Sequence, residues 1–167
     1  RGPDYDKDNS VDLTSLAALT GLPTYAILKR PSCAAKGEDG SALRVPADPD
    51  DPIFMDGPRV FQEAVRGMMK SLRDACEDAG ITPEDLELVV PHQANQRIIN
   101  AVRQRMRVSA DRMYSNIAGY GNTSSSTIPL CLEEIFSNGS DARKLGLVAF
   151  GGGYTFAGAV LETSGRK

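Results

Sequence analysis

The stretch LELVVPHQANQRIINAVRQRM (86–106) runs from an apolar segment through a polar loop into a helical repeat. The short run LELVV (86–90) has the length and β-branched content of a buried strand, and Pro91 ends it. Beyond His92, residues Ala94, Ile98, Ala101, Val102 and Met106 recur at three- and four-residue intervals, which predicts a helix beginning almost at the histidine. The unit is therefore strand, loop, helix. Further on, RMYSNI (112–117) predicts another strand, followed by the loop GYGNTSSST (119–127). A helix bearing Ile128, Leu130, Leu132, Ile135 and Phe136 comes next, up to Asn138-Gly139. At the end, LGLVAF (145–150) and YTFAGAVLE (154–162) predict two strands joined by Gly151, Gly152 and Gly153, a permissive hairpin tip.

Upstream, Pro58 suits a first helical position, and Val60, Phe61, Ala64, Val65, Met68, Met69, Leu72, Ala75 and Cys76 keep helical spacing until Gly80. TYAILKR (24–30) has strand composition, whereas SCAAKGEDGS (32–41) and VPADPDDP (45–52) read as a loop and an extended approach. Residues 1–23 are weakly patterned and are expected to be a linker or a cloning remnant, leaving 24–167 as one domain. Strands alternating with helices predict an α/β layered fold with helices packed on a mainly parallel or mixed sheet.

The composition narrows the function. The chain has 167 residues, 41% hydrophobic and 25% charged, enough for one globular core. A net charge of -3 without a long Lys/Arg run argues against a nucleic-acid surface. No apolar run approaches a membrane span, and the acidic start (Asp4, Asp6, Asp8) is unlike a signal peptide, so a cytoplasmic protein is expected. Cys33, Cys76 and Cys131 are few and widely spaced, which fits free thiols rather than a zinc or redox pair. No metal site is expected.

Open α/β sheets place ligands beyond the carboxyl ends of their strands, and three loops there carry polar chemistry. The segment PHQANQR (91–97) holds His92, the only histidine of the chain, which by itself also fits a structural, hydrogen-bonded role. Asn122 in the second loop is a neutral donor, though a glycine turn with hydroxyls capping the next helix would use the same residue types. FGGGYT (150–155) could bring backbone N–H groups to an oxyanion, or could simply turn a hairpin. It is neither a Walker loop nor a dinucleotide fingerprint.

In order, LELVVPHQANQRII, GYGNTSSSTIP and LVAFGGGYTFAGAVL resemble the C-terminal domain of ketoacyl-acyl-carrier-protein synthase III, a thiolase-fold condensing enzyme. The likeness covers roughly 53–162 well, including FMDGPRVFQEAV (54–65), and reaches back more loosely to Tyr25. It implies one half of a thiolase-like layered fold, with a mixed sheet covered by helices. It further implies that His92 and Asn122 form the decarboxylation pair, that Gly152 offers an oxyanion-hole N–H, and that Phe150 lies near the malonyl pocket. Gln93, Ala94, Asn95, Gln96 and Arg97 match the segment that contacts acyl carrier protein, and Arg103, Arg105 and Arg107 add positive charge on the same helix. No cofactor is implied: the substrates would be acyl-coenzyme A and malonyl-acyl-carrier protein, in fatty acid or polyketide synthesis, within an enzyme that is a homodimer when complete.

The family's nucleophilic cysteine lies in an N-terminal half that this sequence does not match. Cys76 and Cys131 fall inside predicted helices and Cys33 in a predicted turn, so none is expected to replace it, and the chain alone is expected to be inactive. Two other readings stand beside condensation. One is an acyltransferase on the same fold without decarboxylation; the other is a noncatalytic subunit that binds carrier protein.

Overall fold

The computed structural model describes residues 11–12, 26–29 and 31–163. Its frame is a six-stranded mixed sheet. Strand β1 (Val11–Asp12) pairs antiparallel with β2 (Ala26–Leu28). Both β2 and β3 (Ser32–Ala35) run antiparallel along the same edge of β8 (Thr155–Thr163), β2 at residues 161–163 and β3 at residues 155–158. The hairpin partner of β8 is β7 (Lys144–Gly151), and β7 pairs in parallel with β6 (Leu88–Pro91). A separate ribbon of β4 (Leu43–Arg44) and β5 (Phe54–Met55) leaves Val45, Ile53, Phe54 and Met55 exposed, with the Arg44 guanidinium 5.4 Å above the Phe54 ring.

The strands alternate between two buried faces, which is why they read as nearly continuous apolar runs. Val89, Val148 and Val160 face helices α1 (Gly57–Asp78) and α2 (Gln96–Met106), where Met68, Leu72, Ile99 and Val102 complete the larger core. Their neighbours Val90, Leu145 and Leu161 face the opposite way, onto Cys131, Leu132 and Ile135 of α4 (Thr127–Ser137). A single turn, α3 (Ile117–Tyr120), precedes α4. Asp56 caps α1 by accepting the Arg59 N–H at 3.2 Å, and Pro58 sits in the first turn as its fixed φ favours. No helix among the described residues is long and apolar enough to cross a membrane.

Three local expectations change. SCAA (32–35) is not a turn: it forms β3, because its small side chains fit the edge of β8 and its backbone gains a ladder that composition does not reveal. RMYSNI (112–117) contributes only an isolated parallel bridge between Met113 and Val89, with the Tyr114 N–H donating to the Val89 carbonyl at 2.9 Å, before α3 begins. Within 1–23, Val11–Asp12 belongs to the sheet, and the rest of that expected linker lies outside the described residues.

The approach of α1 to β8 is unusually close. A Cβ on Gly158 would lie 2.3 Å from the Ser71 carbonyl oxygen, and one on Gly67 would lie 2.1 Å from the Phe156 ring. The sheet thus admits the helix backbone, and the helix admits a ring from the sheet. A Cβ at Gly37, by contrast, would meet nothing within 4 Å. Gly158→Ala is therefore expected to cost about 3 kcal/mol or more by forcing α1 off the sheet. Gly37→Ala should stay within about 1 kcal/mol of the parent. Urea unfolding of the two variants tests this; equal midpoints would mean that the contact is not limiting.

Candidate active site

His92 follows directly on the carboxyl end of β6, and its backbone N–H donates to the Val148 carbonyl at 2.7 Å, extending the parallel ladder by one residue. The ring is half-buried. Its Nδ1 lies 2.6 Å from Thr127 Oγ1, at the first residue of α4, and the ring makes a T-shaped contact with Phe150, centroids 5.7 Å apart at 66°. Burial lowers the imidazole pKa below its ordinary 6.5, so the ring is neutral at pH 7.

The loop that follows divides its residues between inside and outside. Gln93 is only 1% exposed and turns inward. Its Nε2 donates to the Pro91 carbonyl at 2.7 Å, while its Oε1 accepts from Ser115 Oγ and the Asn116 N–H, each at 3.2 Å. Asn116 in turn donates to Glu134 Oε2 at 2.9 Å and receives the Cys131 thiol at 3.2 Å, so the histidine loop, residues 115–116 and α4 share one polar network. Asn95, Gln96 and Arg97 remain exposed and Ala94 is partly so. Asn95 caps α2 through the Arg97 N–H at 2.8 Å, Gln96 bonds Asn100 at 3.1 Å, and the Arg97 guanidinium lies 5.8 Å from the centroid of the Phe61 ring. Arg107 adopts the left-handed conformation that ends α2.

Asn122 lies in the loop after α3 and is exposed. Its Oδ1 accepts the Ser124 N–H at 2.9 Å, which leaves the amide NH2 as its free donor. His92, Asn122, Phe150 and Gly152 all line one open cleft of about 1560 Å³, together with Arg97 and Arg105. The loops at 92, 122 and 150–152, far apart in the chain, thus come together around one cleft. Gln93 and Gln96 do not line it. The first turn of α1, which also lines the cleft, is pinned to the 36–39 segment: Asp39 accepts from Lys36 and Arg59, which hold its carboxyl below the usual range, and Lys36 reaches Glu63 at 3.2 Å.

The cysteines divide in the same way. Burial pushes the Cys76 thiol up to about 11 and Cys131 up to about 12, so both stay protonated and inert as expected of helical thiols. Cys33 is exposed on β3 and lines the cleft, rather than sitting in a turn. Among the described residues no three His, Cys, Asp or Glu side chains gather as metal ligands would. Sequence reasoning missed Thr127 as the neighbour of His92. The pair is 35 positions apart, and a hydroxyl at a helix start reads first as an N-terminal residue.

The lowered pKa fixes a sign. The unfolded ring accepts a proton that the folded ring resists, so this contribution to stability is complete above about pH 6.5 and is lost as pH falls through the lowered native value. An NMR titration of the chain's one imidazole should show a midpoint below 6.5; a midpoint at or above it would contradict desolvation of the ring.

A profile of the family described as 3-Oxoacyl-[acyl-carrier-protein (ACP)] synthase III C terminal matches residues 76–163, more than half of the chain. Beta-ketoacyl-[acyl-carrier-protein] synthase III of Roseiflexus castenholzii is 42% identical over 135 residues, covering 75% of this chain and 41% of the relative. The crystal structure of the Thermus thermophilus synthase III superposes with a TM-score of 0.75 at 39% identity, over 83% of this chain and 47% of that one. The priming beta-ketosynthase of the R1128 polyketide pathway gives 0.72 at 31% identity, over 83% and 46%. The chain thus spans less than half the length of these relatives. The layered, thiolase-like half expected from the resemblance is the fold observed. With the match running from the end of α1 through β8 and taking in all three cleft loops, the chain belongs to the ketoacyl-acyl-carrier-protein synthase III family, as its C-terminal domain.

Proposed function

We propose that this chain supplies the decarboxylating half of a condensing enzyme that joins an acyl group to malonyl-acyl-carrier protein in fatty acid or polyketide synthesis. The observation that carries the reading is that His92 and Asn122 line the same cleft, each with a neutral N–H donor available. A malonyl thioester losing carbon dioxide leaves an electron pair that becomes an enolate, and its negative charge gathers on the thioester oxygen. Fixed dipolar donors stabilise such charge without reorganising, which is the largest single term in many enzymes. The enolate carbon then attacks an acyl thioester, forming a carbon–carbon bond and expelling thiolate. The acyl-bearing cysteine belongs to an N-terminal half outside this chain, loaded from acyl-coenzyme A, so the chain alone does not turn over. Gly152 would lend its backbone N–H to the oxyanion of the attacked carbonyl, and Phe150 would shape the malonyl side of the pocket.

Asn95, Gln96 and Arg97, with Arg105 beside the cleft, present the outward face of α2 to acyl carrier protein, whose acidic surface a basic rim would steer. Gln93, buried beneath them, holds the loop from which this face projects. The assembled enzyme is a cytoplasmic homodimer with no nucleic-acid or membrane partner and no bound cofactor.

The test is carbon dioxide release from malonyl-carrier protein by the chain combined with an N-terminal half of a family member. Activity should appear only on complementation, and His92→Ala or Asn122→Ala should each lower it about a hundredfold to a thousandfold. Acyl transfer without carbon dioxide release would sink the reading in favour of an acyltransferase. Arg97→Glu should raise KM for the carrier-protein substrate and leave kcat in place.

A further inference from the structure

We infer that Thr127 is the positioning residue for His92: its hydroxyl donates to Nδ1, holds the ring as the Nε2–H tautomer, and so aims the ring's single N–H into the cleft. The hydroxyl lies 2.6 Å from Nδ1, and Thr127 is only 3% exposed. His92 is the hydroxyl's one hydrogen-bond partner among the described residues. Two arrangements satisfy that distance. If Nδ1 carried the proton, Thr127 Oγ1 would accept it and the hydroxyl hydrogen would be left buried without an acceptor, an arrangement native interiors avoid. If the hydroxyl donates instead, Nδ1 spends its lone pair on Thr127, and the proton resides on Nε2.

Double protonation is opposed from two sides. The ring is desolvated, and Nδ1 faces the first turn of the 11-residue α4, whose N-terminal end carries partial positive charge. Other restraints limit the ring. The backbone of His92 is tied to β7 through Val148, and Phe150 packs against the imidazole in a T-shaped contact. With Nδ1 held, Nε2 is the ring nitrogen that remains for the cleft His92 lines. The same helix start anchors Thr127 itself, through its N–H to the Ser124 carbonyl. Because the Ser124 N–H also donates to Asn122 Oδ1, the two proposed donors are referenced to one short segment, 122–127.

The catalytic meaning of this assignment rests on the decarboxylation reading, but the tautomer does not. His92 is the only histidine, so a long-range ¹H–¹⁵N correlation spectrum of the labelled chain at neutral pH reports this ring alone. The wild type should show a pyridine-like Nδ1 and a pyrrole-like Nε2. Thr127→Val keeps the β-branched shape and removes the donor; it should let the Nδ1–H form appear, while Thr127→Ser restores the wild-type pattern. In the complemented enzyme, Thr127→Val should lower kcat for decarboxylation about tenfold to a hundredfold with KM little changed, and Thr127→Ser should recover most of it. A protonated Nδ1 in the wild type overturns the inference without any variant. So does an unchanged tautomer in folded Thr127→Val. If the tautomer shifts as expected but the wild-type enzyme releases no carbon dioxide, the decarboxylation reading falls and the role of Thr127 toward His92 stands.

Discussion

The closeness with which α1 lies against β8 governs the placement of everything else. At Gly158 the backbone of the strand meets the backbone of the helix at Ser71, and at Gly67 the helix yields to the Phe156 ring. Helix α1 is thereby seated at one depth and one rotation. Its apolar stripe then forms the wall on which Ile98, Ile99 and Val102 of α2 pack, and this sets where α2 begins. The loop carrying His92 is the short connection between that helix and β6, so its freedom is small. Phe61, on the first turns of the same α1, also lies under the Arg97 guanidinium. One steric fit between glycines and their neighbours is therefore felt at both the floor and the rim of the cleft.

A second layer of order comes from the buried amide of Gln93. Three hydrogen bonds draw it under the loop, one to its own strand end and two to residues 115–116, and Asn116 passes the connection on to α4. Half-satisfied polar networks are liabilities, whereas a complete one specifies a single arrangement. Here the network joins the segment before Asn122 to the segment after His92.

Much of this was legible in sequence, for identifiable reasons. The strand, loop and helix at 86–106 announce themselves because both faces of β6 are buried, giving an apolar run, and because α2 has a solvent side, giving a period. The hairpin of β7 and β8 shows through its glycines. The edge strand at Ser32–Ala35 did not show, since Ser, Cys and Ala carry little strand preference and only the long-range partner β8 makes them one. Residues 112–117 looked like a strand from composition, yet a single bridge to Val89 was all that the neighbouring α3 allowed. At the site, the identities of His92 and Asn122 could be read in the string, whereas the inward turn of Gln93 and the pairing of His92 with Thr127 could not. Side-chain direction in a loop and contact across 35 positions are properties of packing, and no local pattern encodes them.

The cleft is electrically divided. Its lining combines a ring kept neutral by burial and the amide of Asn122, which are dipoles, with the full charges of Arg97 and Arg105. Mobile ions weaken the pull between exposed charges over about 8 Å at physiological ionic strength, but the short-range hydrogen bonds of neutral donors are far less affected. Salt concentration is therefore a selective lever on this cleft: it screens the field of Arg97 and Arg105 while leaving the hydrogen-bonding capacity of His92 and Asn122 in place.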